Sequence, residues 1–395
     1  MASLRFSIMR ASEHEMDLIR EILSEFESTY RTQIDLVILE WPTAWRQILD
    51  FITYDNLPDL SLVGTTWITP LCAMQVLRPI SPDEAEAVGG KDKYLESVWN
   101  AGMVGPALWA LPWQVDTRLI FYWKSALRQA GIEAADAFST YARIEETVAA
   151  LVAAGQNPIV SSSTPSAQNT LHNVAAWIWS GGGDFLTPSG QQVAFDQPAA
   201  LDAIFRYFQL HRSLISSRLH GLSAQESDRA FESHKAALTI TGPWLIENIE
   251  SAGSHLLDDL GISPMPGVPY AGGSSLVIWR RSLQELAAFD LIRFLMRRDV
   301  QMRLSRASGQ LPSRMDLLTD ATLNEDRFYA ALSGNAQRGR ALPNARLWGV
   351  IEERLVQTLG LLWKPALDLA EANPRDAVTA PVVRLAQQLN ATLRH

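Results

Sequence analysis

The apolar positions of the first hundred residues switch period repeatedly. Leu4–Met9 alternates or runs apolar over the length of a strand. After Ser12, the residues Met16, Ile19, Leu23, Phe26 and Tyr30 recur every three or four positions, the spacing of one helix face, with Ser12 placed to cap it. Ile34–Leu39 reads as a second buried strand, and Trp45, Ile48, Leu49 and Ile52 mark a helix opened by Pro42. Pro58–Val63 reads as a third strand closed by Gly64-Thr65-Thr66. Successive βα units of this length predict a mainly parallel sheet covered by helices. Such sheets bind ligands beyond the carboxyl ends of their strands, which points to Arg10–His14, Glu40-Trp41 and Gly64–Trp67.

Further along, helical spacing covers Tyr141–Ala154, Ala167–Ser180, Pro198–Arg212 and Ala224–Ser233, and Gly181-Gly182-Gly183 supplies a C-cap and turn. Ala236–Thr241 reads as a strand running into Gly242-Pro243-Trp244, and Ser274–Trp279 as another. Gln284–Ala307 reads as one long amphipathic helix ended by Gly309, and the tail from Arg346 is helical. Ala110–Asp116 has neither period and reads as a crossover. Gly261–Gly267 has the Pro and Gly density of a linker, and Leu311–Arg314 is a third breaker. Three breakers cutting one α/β pattern suggest a two-lobed protein whose lobes are each discontinuous in sequence.

Composition narrows the function. The 395 residues carry a net charge of −9, the wrong sign for a non-specific nucleic-acid or anionic-membrane binder. The single Cys72 excludes an intrachain disulfide and a Cys-based zinc site, and its apolar neighbours make it a packing residue. The seven His contain no pair at metal-ligand spacing, and His172 and His234 read as satisfied histidines. No apolar run is long enough to span a membrane, and no leader peptide is read at the start of the chain. Glycoside hydrolysis needs two facing carboxylates; Glu40 has only Asp116 as a partner, without the repeated βα pattern of a barrel. Gly272-Gly273-Ser274-Ser275-Leu276 lacks the last Gly of a nucleophile elbow.

Tryptophan is what recurs: thirteen against eight Tyr. Trp99, Trp109, Trp123, Trp279 and Trp363 lie in apolar periodic stretches and belong to the core. Trp41, Trp67, Trp113, Trp244 and Trp348 fall instead in loops or at strand ends. An indole face against a sugar ring, with polar groups taking the hydroxyls in the ring plane, satisfies a ligand that is half apolar and half polar.

Stretches along the chain resemble the family 1 extracellular solute-binding proteins of bacterial ABC importers. They run in order through Pro58–Ile80, Ala110–Arg118 with Tyr122-Trp123-Lys124 and Ala130-Gly131-Ile132, Ala236–Trp244, Pro264–Gly267, Gly272–Leu276 and Gly309–Arg314. The resemblance implies a two-lobed α/β fold of the periplasmic-binding-protein type, with three hinge crossovers and a solute trapped between lobes. The lobes expected are 1–114 with 267–315 and 115–266 with 316–395. It implies ligand contacts from Thr65, Thr66 and Trp67, a hydroxyl-binding Asp116, a stacking Trp244, and close backbone approach at Gly272 and Gly273. Trp177 and Trp179 are candidates from the second lobe, and Glu13, His14, Arg118 and Arg314 complete the set. No cofactor, metal or chemistry on the ligand is implied. The expected partners are a sugar or related polyol and the ABC permease, for a monomer at the periplasmic or extracellular face, secreted or lipid-anchored. The competing readings are the same fold serving as a sensor docked on a signalling partner, and a carbohydrate-active enzyme.

Overall fold

The computed structural model describes residues 3–10, 12–165, 168–214, 218–345, 347–368 and 373–393. Ala167 and Arg346, the expected starts of two helices, lie outside them. The strands are, in chain order, β1 Ser3–Arg10, β2 Gln33–Glu40, β3 Leu60–Gly64, β4 Met103–Val104, β5 Ala107–Leu108, β6 Leu111–Thr117, β7 Leu119–Trp123, β8 Ile159–Val160, β9 Leu238–Thr241, β10 Leu260–Pro264, β11 Ala271–Ile278 and β12 Leu311–Pro312. The chain divides into two compact units: Met1–Asp116 with Ala271–Ser333 and Asn344–Gly349, and Thr117–Tyr270 with Gly334–Pro343 and Val350–His395.

The first unit is built on a six-stranded sheet in the order β12-β6-β11-β3-β1-β2. Its opening is as the periodicity predicts. β1 runs parallel to β2 and to β3, and the helix Glu13–Tyr30 is capped by the Ser12 hydroxyl, which accepts from the Glu15 amide at 3.1 Å. The helix Trp41–Thr53 starts with Pro at its first turn, where a missing N–H costs nothing. The parallel pattern stops at β11, which is antiparallel to β3, so the sheet is mixed. Ala110–Asp116 is no loop. Leu111–Thr117 forms β6, and its first three residues are all buried, which erases the alternation that marks a half-exposed strand. Trp279 closes this core: its indole N–H reaches Ser61 Oγ at 2.7 Å, and Ser61 Oγ also pairs with Ser7 Oγ at 2.6 Å. A buried Trp with a partnered N–H is a sound core residue.

The stretch read as one helix over Gln284–Ala307 is two, Glu285–Leu295 and Arg298–Ser308, separated by an extended Arg297. The break holds because side chains take the carbonyls it frees. Gln301 Nε2 donates to Leu295 O at 3.2 Å and Arg314 Nη1 to Met296 O at 3.3 Å. Gly309 ends the second helix at φ 64°, as expected.

The second unit holds a four-stranded sheet, β10-β7-β9-β8, in which β10 and β9 are antiparallel to β7 and β8 is parallel to β9. The helices Gln168–Ser180, Pro198–Leu210, Trp348–Leu367 and Pro374–Leu393 supply most of its helical layer. The supposed linker at Gly261 is part of β10. A Cβ at Gly261 would lie 2.2 Å from the Tyr122 ring on β7, so glycine here admits a neighbouring aromatic instead of loosening the chain.

Candidate functional site

In the first unit, the carboxyl ends of β1, β2 and β3 gather the polar and aromatic candidates. Register places Arg10 opposite Glu40. The Arg10 guanidinium is 2.9 Å from Glu40 and also bonds Glu13, so two of the expected carboxylates share one cation. Glu40 precedes the helix Trp41–Thr53 without capping it through its side chain. His14 is exposed beside Glu13. Trp41, the first residue of that helix, is 42% exposed. Trp67, in the turn after β3, touches it at 5.8 Å between ring centroids and touches Trp45 at 5.5 Å. Thr65 is buried beside this fan and Thr66 is half-buried.

The second unit carries a tighter arrangement. Arg118, at the entry to β7, is 2% exposed. Its guanidinium lies 4.8 Å from the Trp244 ring centroid and 5.6 Å from that of Tyr270. Its Nη2 is 2.9 Å from His172 Nδ1 and donates to Asn169 Oδ1 at 3.3 Å. His172 stacks on Tyr270 at 4.4 Å, and burial, reinforced by the Arg118 charge, holds its imidazole well below the usual pKa. Asn335 ties down the backbone beneath, donating to Thr117 Oγ1 at 2.7 Å and to Arg118 O at 3.0 Å.

Trp244 is pinned within this group. Its Nε1 donates to Asp228 Oδ2 at 2.8 Å. Gly242 packs against the flat of its benzo ring, since a Cβ there would sit 2.0 Å from Cζ3 and 2.4 and 2.5 Å from the two neighbouring ring carbons. Arg118 covers one face. Asp228 is 5% exposed, and burial pushes its carboxyl up to about 6 against the pull of the Trp244 hydrogen bond.

Several expected contacts are placed elsewhere. Trp113 is fully buried in the first unit's core, 6.4 Å from Phe6, because β6, flanked on both sides in the sheet, turns it inward. Trp177 is 3% exposed, packed on Tyr141 at 4.3 Å, and Trp348 is fully buried; both are core residues. Trp179 is 6% exposed against Phe185, with the Arg340 guanidinium 5.2 Å from its ring. Arg314 commits its donors to Asp316 at 2.9 and 3.0 Å and to Met296 O. Gly272 is buried in β11, and the bare Cα of Gly273, at φ 139°, makes room for β6, whose Gln114 O would lie 2.0 Å from a Cβ. Asp116 is half-buried at the end of β6.

Asn169, His172, Asp228, Tyr270 and Asn335 escaped the sequence reading. They come from four separated segments, and the one local signal was Gly242, whose small size announces that the following Trp folds back over it.

A model of the family described as bacterial extracellular solute-binding protein matches residues 21–330. A Brucella abortus protein named as a binding protein is 20% identical over 361 residues, covering 88% of this chain and 84% of its own. Among solved structures, an ABC transporter solute-binding protein from Thermotoga lettingae, bound with alpha-D-tagatose, shares 20% identity at a TM-score of 0.84 over 100% of both chains. The sugar-binding protein MalE of the phytopathogen Xanthomonas citri shares 24% at a TM-score of 0.81, over 100% of this chain and 98% of its own. The fold is theirs, and the family match extends over most of the sequence. This chain belongs to the bacterial extracellular solute-binding proteins.

Proposed function

We propose that the protein captures a carbohydrate, a mono- or oligosaccharide or a related polyol, and delivers it unchanged to the permease of an ABC importer. The observation that carries this reading is Trp244, held at its N–H edge by Asp228 and against its ring by Gly242 and Arg118 while remaining partly exposed. The exposed part of the ring is a fixed platform for the apolar side of a sugar ring, and it is oriented before the ligand arrives. Trp41, backed by Trp67 and Trp45, supplies a second aromatic surface, with Arg10, Glu13 and Glu40 beside it for hydroxyls. Thr66, Asp116 and His14 are the further polar contacts. The tagatose on the Thermotoga lettingae protein and the sugar-binding description of the Xanthomonas citri one support the ligand class. The protein acts as a monomer on the periplasmic or extracellular face, secreted or lipid-anchored, and its net charge of −9 suits it poorly to nucleic acid.

Thermal unfolding and intrinsic Trp fluorescence across a panel of maltose, D-tagatose, ribitol and longer oligosaccharides test the reading. At least one member raises the melting temperature and changes the emission. Silence across the whole panel overturns it.

A further inference from the structure

We infer that Asp228 is the positioning residue of the solute site, the group that fixes the azimuth of the Trp244 indole. The inference rests on the stacking role proposed above for Trp244 and adds a residue that would not itself touch the solute.

Asp228 lies on the helix Ala224–Glu232, whose capping box at Ser223 and Glu226 anchors its first turn. From there it reaches the indole N–H at 2.8 Å. The remaining constraints on the ring leave one freedom. Gly242 packs against the flat of the benzo ring and Arg118 lies over the indole, but neither holds the N–H edge. An acceptor at the N–H edge closes that freedom. A carboxylate is an unusual choice for this place, because a 5%-exposed Asp without a full cation partner is costly to keep ionised. An apolar residue would pack the same space without that cost. The cost is offset by a charge-assisted hydrogen bond, which is stronger and more directional than a neutral one. The charged groups acting on Asp228 are Glu232, one helical turn on, and Arg118.

The test uses the full-length protein labelled with 15N-Trp, with the Trp244 indole resonance assigned by Trp244→Phe. In the wild type this resonance moves with pH about a midpoint near 6, the value to which Asp228 is raised. Asp228→Asn keeps an acceptor of the same shape; it removes the pH dependence and holds the affinity for the best-binding panel sugar within about threefold. Asp228→Leu shifts the resonance and weakens the same sugar about tenfold, and it weakens nothing further in the Trp244→Phe background. A Trp244 resonance that ignores pH and both Asp228 variants overturns the inference whatever the sugars do. A resonance that responds while Asp228→Leu leaves sugar affinity intact also overturns it, with the proposed function left standing. If the wild type binds no sugar, the proposed function fails, and the positioning role fails with it.

Discussion

The two units present tryptophan in opposite ways. In the first, Trp41 stands 42% exposed, and what holds it is another indole, Trp67. In the second, Trp244 is pinned by a carboxylate at its N–H edge and by a guanidinium and a missing side chain against its ring. Packing against aromatic neighbours constrains a ring weakly, since tilted arrangements of similar energy lie close together. Hydrogen bonds and steric stops define one orientation. The comparison therefore separates an adaptable surface from a preset one, and the preset one should dominate affinity.

Buried histidines also make the second unit the more sensitive to acid. His211 is fully buried, with Nδ1 2.7 Å from Tyr207 O and Nε2 2.9 Å from Ser161 Oγ, and burial lowers its pKa to about 4. Its folded pKa lies below the unfolded value, so stability is lost as pH falls from 6.5 towards 4, on the order of 2–3 kcal/mol from this residue. His172 acts in the same direction. Asp228, raised to about 6, acts in the opposite one, because protonation below that value favours the fold. Glu232, also raised by burial, sides with Asp228, but the two histidines carry the larger shifts, and the first unit's only histidine, His14, is exposed. Hydrogen exchange at pH 7 and pH 4.5 should show the second unit losing protection first; equal loss in both units would erase this contrast.

Gly242→Ala comes next, because a Cβ there would meet the Trp244 ring at 2.0 Å. Displacing the ring should cost about 1–3 kcal/mol in urea unfolding and lower sugar affinity together with stability. Trp244→Ala should weaken the best-binding sugar tenfold or more, about 1.4 kcal/mol by titration calorimetry. Trp41→Ala should cost less, about threefold, from the ~0.5–1 kcal/mol of one aromatic contact. If Trp41→Ala proves the more damaging, the ranking of the two surfaces is inverted.

The sequence was most legible where one face of an element is wet. The helix after Ser12 and the one opened by Pro42 alternate buried and exposed positions, and both were predicted to within a few residues. β6 was hidden by burial on both faces, and Trp113 was misread along with it as a loop residue. The break at Arg297 was invisible because the groups that stabilise it, Gln301 and Arg314, lie further along the chain. Trp244 stood out through its Gly-Pro neighbours, but nothing local could connect it to Asp228, Arg118 or His172. Periodicity reports the environment of a segment; a constellation depends on where distant segments meet.

The sheet order of the first unit has a consequence for synthesis. β6 lies between β11 and β12 and touches none of the strands made before it. When Leu111–Thr117 leaves the ribosome it has no sheet neighbour, and it stays without one until Ala271–Ile278 follows. The parallel trio β1–β3 is likewise left with an open edge, the edge that β11 later covers. A sheet whose strand β6 must wait for most of the chain before either side is closed stays incomplete for most of translation, and long-range pairing of this kind makes the final closure slow.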